Sequence, residues 1–139
     1  MKKLMSLFLC IIMLTSLVAC GGNSGETTPA EFVPVTDGAV VGKGATTFPL
    51  SITDKDGNTI NITVNTDKEV VGEALMELGI VEGTQGQYGL YVTHVNGIPA
   101  IYEEDATYWA FYINGEYALT GLDQTPIAEG ESYMLKVEK

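Results

Sequence analysis

Two runs of apolar–polar alternation flank an Asp-Gly turn, and no other pattern in the 139-residue chain constrains its fold as strongly. Phe48, Leu50 and Ile52 alternate with Ser51 and Thr53, and Ile60, Ile62 and Val64 alternate with Asn61, Thr63 and Asn65. A period of two sends successive side chains to opposite faces. The segment therefore predicts a β-hairpin closed over Asp54-Lys55-Asp56-Gly57-Asn58, with one apolar face and one solvated face rich in Thr and Asn. The period then changes. Val70, Val71, Ala74, Leu75 and Leu78 recur at helical spacing, with Glu73 and Glu77 on the other side. Thr66 and Glu69 form a capping-box pair ahead of them, and Gly79 suits the C-terminal stop. Gly72 inside this helix costs about 1 kcal/mol against Ala, so a close approach of helix to sheet is expected there. Further strands are expected at Leu90–Val95, Tyr108–Ile113, Glu116–Leu119 and Ser132–Val137, with Asn114-Gly115 as a hairpin turn. Gly83–Gly89 reads as a Gly-rich connection and Glu103-Glu104-Asp105 as an acidic loop. Strands around a single helix predict an α+β domain, a small β-grasp-like fold with a mixed sheet of about 5–6 strands and one packed helix.

The amino-terminal segment has a different character. Met1-Lys2-Lys3 is a short basic stretch, Leu4–Val18 is mostly apolar, and Leu17-Val18-Ala19-Cys20 follows. This is the layout of a secretory signal, and its end resembles the bacterial lipobox. Residues 1–19 are therefore expected to be a lipoprotein signal peptide, with Cys20 the lipidation site and the membrane the partner it engages; two acyl chains anchor stably where one is marginal. Residues 20–45 read as a flexible Gly/Pro/Thr-rich linker, and 46–139 as the folded domain. The expected location is extracytoplasmic, lipid-anchored to the cell membrane of a bacterium.

Charge and composition exclude several function classes. Beyond residue 19 the chain keeps five lysines, no arginine and eighteen acids, a net charge of −13. Phosphate neutralisation on nucleic acid is ruled out by that balance. The two cysteines, Cys10 and Cys20, both lie in the amino-terminal segment, so no disulfide framework exists. His94 is the one histidine. It reads as a surface or cross-strand residue, since zinc sites use three or four ligands. The folded part offers only Ser51 and Ser132 as serine nucleophiles, neither in a G-x-S-x-G setting. The Asp54–Asn58 segment begins like a calcium loop but has Thr59 and Asn65 where an EF-hand needs Gly and Glu. No metal site, no cofactor and no enzymatic activity are expected.

Aromatic residues concentrate in the carboxyl-terminal part. On the Tyr108–Ile113 strand, Trp109, Phe111 and Ile113 point one way and Tyr108, Ala110 and Tyr112 the other. One face is expected to line the core; the other is either buried too or presents rings to a partner. Three blocks carry a resemblance: Tyr88–Gly97, Tyr108–Ala118, and Gly121-Leu122-Asp123 with Pro126-Ile127 and Gly130–Leu135. Together they resemble the transcobalamin C-terminal-like domain, of the DUF4430 type, which occurs in bacterial surface proteins and at the carboxyl end of transcobalamin and intrinsic factor. The resemblance spans Thr46–Lys139. It implies a soluble-ligand-binding β-grasp that closes over cobalamin, with Trp109 and Leu119-Thr120-Gly121-Leu122 at the matching positions. No part of this sequence resembles the carriers' helical domain, which supplies the other half of their site, and His94 does not match the histidine there. The functional expectation is non-catalytic binding of cobalamin, a corrinoid or a similar small nutrient. Trp109, Tyr112 and Leu119 would supply apolar contact, Thr120 would flank them, and Gly121 would permit close backbone approach. The alternative is a protein-interaction or adhesion module that engages a surface protein.

Overall fold

The computed structural model describes residues 32–139; Cys20, the signal segment and the first part of the linker lie outside them. β1 (Val40–Gly42) runs parallel to β3 (Thr59–Thr66), although the sequence reading assigned its residues to the linker. The attachment begins earlier still. The Asn96 side chain accepts from Val35 N at 2.8 Å and donates to Val35 O at 3.0 Å, imitating a strand neighbour. Asp37 Oδ1 accepts from Asn61 N at 2.7 Å. The domain boundary at residue 46 is thus corrected toward the amino terminus: a flexible composition does not prevent ordering once another strand supplies backbone partners.

β2 (Thr46–Thr53) and β3 form the expected antiparallel hairpin, with Leu50 opposite Ile62 and Thr53 opposite Thr59. Asp54 closes its turn, accepting from Asp56 N and Asn58 N on Oδ1 and from Asn58 Nδ2 on Oδ2. The Asn58 amide holds the Asp54 carboxyl below its ordinary pKa. α1 (Val71–Glu77) follows, without the expected capping box. Thr66 ends β3 and its hydroxyl accepts from Lys68 N. The helix start is held by sheet-like bonds instead: Val70 bridges Pro126, Val71 N donates to Thr125 O, and Ile127 N donates to Glu69 O. Gly79 ends the helix at φ +70°, its N–H donating to Met76 O.

β4 (Val81–Gly86) occupies the Gly-rich stretch that periodicity left unassigned. It pairs antiparallel with β5 (Gly89–Val95), and β6 (Ile98–Pro99) completes a second, three-stranded sheet. A Cβ at Gly83 would sit 2.3 Å from Tyr91 O, so the pairing requires glycine there. α2 (Tyr102–Asp105) is a single helical turn in place of the acidic loop. β7 (Tyr108–Ile113) and β8 (Glu116–Tyr117) form a hairpin around Asn114-Gly115, both at positive φ as a tight primed turn demands. A 3-10 turn over Leu122–Gln124 precedes β9 (Tyr133–Glu138).

The main sheet has the order β1-β3-β2-β9-β7-β8. β9 lies at its centre, parallel to β2 and antiparallel to β7. The leading strand of the first hairpin paired in parallel with the last strand, between two hairpins, is the β-grasp arrangement, within a small α+β domain. One sheet face carries Phe48, Leu50, Ile62, Phe111, Tyr133 and Leu135 into the core, beneath Val71, Ala74 and Leu75 of α1. Tyr133 is its centre, edge-on to Phe48 at 5.3 Å and stacked on Phe111 at 6.0 Å. Its buried hydroxyl accepts from Ala128 N and donates to Glu131.

Candidate ligand-binding site

The β7 alternation decides which aromatic residues belong together. Trp109 and Phe111 point into the core, and Tyr108 and Tyr112 are half-buried on the opposite face. Ala110, although it alternates with them, is itself buried. Where β7 approaches β5, the two sheets leave a cleft of about 410 Å³, floored by Trp109 and Phe111. Leu90–Val92 of β5 form one wall, and the segment from Tyr117 to Leu122 forms the other.

Four of the five residues expected to contact a ligand meet in this cleft: Trp109, Leu119, Thr120 and Gly121. Their surroundings differ. Trp109 is only 7 % exposed, and its indole N–H donates to Ile98 O at 3.2 Å, so it is a core residue that gives the cleft what little surface it keeps. Leu119 is 98 % exposed and stands at the rim. The Thr120 hydroxyl shares a hydrogen bond with that of Thr125, which also donates to Gly121 O at 2.8 Å and so fixes the wall. Gly121 packs against Asp123: a Cβ there would lie 2.8 Å from Oδ1, at the end of that side chain.

Tyr112 is the exception. It lies one residue out of phase with Phe111 and does not line the cleft. Its hydroxyl donates to Glu138 Oε1 at 2.7 Å, and its ring meets Tyr117 edge-on at 5.6 Å. The Glu138 bond raises the Tyr112 pKa, while that bond and Lys136 lower the Glu138 pKa. Tyr112 therefore belongs to a cluster on the solvated face of the sheet, apart from the other four. His94 is half-buried with Nδ1 2.9 Å from Thr93 Oγ1 and does not line the cleft.

Sequence reasoning did not name most of the remaining lining, nor the residue behind the wall. Tyr91 and Phe111 line the cleft, and Asp123 stands behind its wall. Tyr91 O–H donates to Glu103 Oε2 at 3.2 Å, tying β5 to α2. Asp123 Oδ2 accepts from Gln85 Nε2 at 3.3 Å, while Oδ1 is buried without a donor. Both Tyr91 and Asp123 fall within the blocks that carried the resemblance. Their roles depend on the contact between β5 and the 3-10 turn, which no local pattern encodes.

Residues 68–139 match the model of the family described as a domain of unknown function, DUF4430. The chain belongs to the DUF4430 family. Among solved structures, this DUF4430 chain is similar to a protein of Ruminococcus gnavus ATCC 29149 whose proposed role is metal binding. The two are 26 % identical with a TM-score of 0.64, over 68 % of this chain and 98 % of that one. It is also similar to haptocorrin, solved in complex with Cbi, at 20 % identity and a TM-score of 0.48. That match covers 68 % of this DUF4430 chain and a quarter, 25 %, of the haptocorrin chain. No curated protein matches in sequence.

Proposed function

We propose that this DUF4430 domain is a non-catalytic binding module whose cleft contacts a small nutrient, with a corrinoid as the first candidate. The observation that carries the reading is the meeting of Trp109, Leu119, Thr120 and Gly121 in one cleft. Trp109 stands on β7 and Leu119–Gly121 in the segment after β8, and both match positions that the resemblance gives to a ligand. A volume of about 410 Å³ falls in the range of small-molecule sites. Leu119, fully exposed at the rim, gives such a ligand an apolar edge to cover. Among the described residues, no group of three or more His, Cys, Asp or Glu side chains gathers as a metal site would require, so metal is not the ligand we put forward. In this reading Cys20 carries the lipid that holds the domain at the bacterial cell membrane. A contact with a surface protein through the same rim is the second reading, favoured by Leu119 and by Tyr88 in the β4–β5 turn, which is 92 % exposed.

The test is titration of the protein with cyanocobalamin and cobinamide, followed by calorimetry and by the fluorescence of Trp109, the one tryptophan in the chain. A saturable response that Leu119→Ala weakens supports the corrinoid reading. Silence up to high micromolar concentration overturns it and directs attention to surface proteins. Loss of metabolic palmitate labelling in Cys20→Ala tests the anchor.

A further inference from the structure

The lining of the cleft and the carboxylate behind it point to a ligand charge that nothing so far has specified. Five of the twelve lining residues are aromatic, among them Tyr91, Trp109 and Tyr117, and none is charged. Ring faces carry negative electrostatic potential and attract a cation within about 6 Å. Nothing in the lining competes for that role, since the one ion pair among the described residues, Lys136–Glu138, sits on the far face of the sheet.

Asp123 adds a second, independent feature. Its Oδ1 has no hydrogen-bond donor, and its only side-chain partner, Gln85, reaches Oδ2 at 3.3 Å. The carboxylate packs against backbone at Gly121 and Gly89, where an added Cβ would approach Oδ1 to 2.8 and 3.1 Å. Gly121 is itself cleft wall, and Gly89 precedes Leu90 of the opposite wall. A half-buried carboxylate therefore stands behind the cleft wall, and its one buried oxygen, which lacks a donor, gains from a positive charge placed nearby. Glu103, which accepts the Tyr91 hydroxyl proton, sets another carboxylate at the edge of the aromatic lining.

We infer that the cleft selects a small organic cation, a nitrogen-centred positive charge on an apolar frame, with the aromatic lining as its seat and Asp123 as the charge-selecting residue. This rests on the proposed assignment of the cleft as the ligand site, but not on the ligand being a corrinoid. Positive ligands are favoured, neutral ones of the same shape bind less well, and anionic ones are rejected.

The experiment uses the full chain and three probes of nearly equal size: choline, its neutral carbon isostere, and pivalate. Trp109 fluorescence is read at low ionic strength. Choline is expected to saturate with a Kd at least about fivefold below that of the isostere, and pivalate to give no response. Asp123→Asn keeps the side-chain shape and is expected to cut that preference to less than about twofold. If Asp123→Asn unfolds, added salt serves instead: it should weaken choline binding and leave the isostere unchanged. Equal affinity for choline and the isostere, or no saturable response to choline, overturns the inference. Corrinoid binding without a choline preference refutes the charge selection alone. A choline preference without corrinoid binding refutes the corrinoid reading alone.

Discussion

Replacing Gly72 by alanine sets two opposing effects against each other, and the structure decides the sign. In an exposed helix interior, Gly→Ala stabilises by about 1 kcal/mol. At Gly72 the new Cβ would lie 2.8 Å from Asp123 N, 2.9 Å from Leu122 C and 3.0 Å from Asp123 Cα. All three are backbone atoms of the 3-10 turn, so no side chain can rotate away. The turn is also pinned on both sides: Val71 N donates to Thr125 O, and the buried Thr125 hydroxyl holds Gly121 O. Relief requires the turn and helix to separate by several tenths of an ångström, at an overpacking cost of about 1–3 kcal/mol. Because the opposing atoms are backbone, the upper half of that range applies, and the net effect is a loss of about 1–2 kcal/mol. For a domain of this size that is a fall in Tm of roughly 4–12 °C. Thermal unfolding by circular dichroism measures it, with the exposed Glu73→Ala on the same helix as a propensity control. Since the displaced turn carries one cleft wall and Asp123, ligand affinity should fall as well. A Gly72→Ala protein as stable as the parent would refute the reasoning, because helix and turn could then not be in backbone contact.

Other consequences can be measured in the same way. Trp109→Ala removes a core side chain and should cost about 3–5 kcal/mol, whereas Leu119→Ala, at the exposed rim, should change stability by less than about 0.5 kcal/mol; matched denaturant curves separate the two, and only Leu119→Ala is a clean binding probe. Asn96→Gly keeps the positive φ of 51° but loses both bonds to Val35, so about 1–2 kcal/mol should be lost and amide exchange at Val35 should rise; unchanged exchange would show that the strap is held elsewhere. Asp54, Asp105 and Glu138 have pKa values lowered by hydrogen bonds, from Asn58, Thr107 and Tyr112 first in each case. A depressed folded pKa contributes stability that is complete above the unfolded carboxylate value and is lost as pH falls through the folded one. Unfolding midpoints should therefore decline below about pH 4, and a midpoint that kept rising to pH 2 would contradict these bonds.

Elements with a clear period were legible in the sequence. The β2–β3 hairpin, α1, β7 with its Asn-Gly turn, and β9 all stand where alternation or helical spacing put them. The elements that escaped have no such period. β4 is Val-Glu-Gly-Thr-Gln-Gly, a strand made by its partner, not by its own apolar residues. β1 is three residues in a Gly-rich context, ordered by β3 and the Asn96 clamp. Gly72 was recognised as a point of close approach, but to the wrong neighbour: it meets the 3-10 turn, not the sheet. The candidate site follows the same division. Trp109 and Leu119–Gly121 were found through a resemblance, and Tyr112 was included because sequence alone left open which β7 face is buried. Asp123 stands in one of the resembling blocks, but the missing partner of its Oδ1 is a product of packing that no sequence pattern shows.

The central position of β9 bears on how the domain is built up during synthesis. Until its six residues, Tyr133–Glu138, are available, the β2–β3 and β7–β8 hairpins have no sheet contact with each other. Nearly the whole described domain must therefore be present before the two halves can close around Tyr133, and the strand that joins them pairs with residues some eighty positions earlier, Leu50 with Tyr133. Such long-range closure makes for slow folding. An emerging chain would stay open until β9 appears, and a truncation within β9 would divide the main sheet into the three-stranded β1-β3-β2 part and the β7–β8 hairpin, the latter too small to be stable alone.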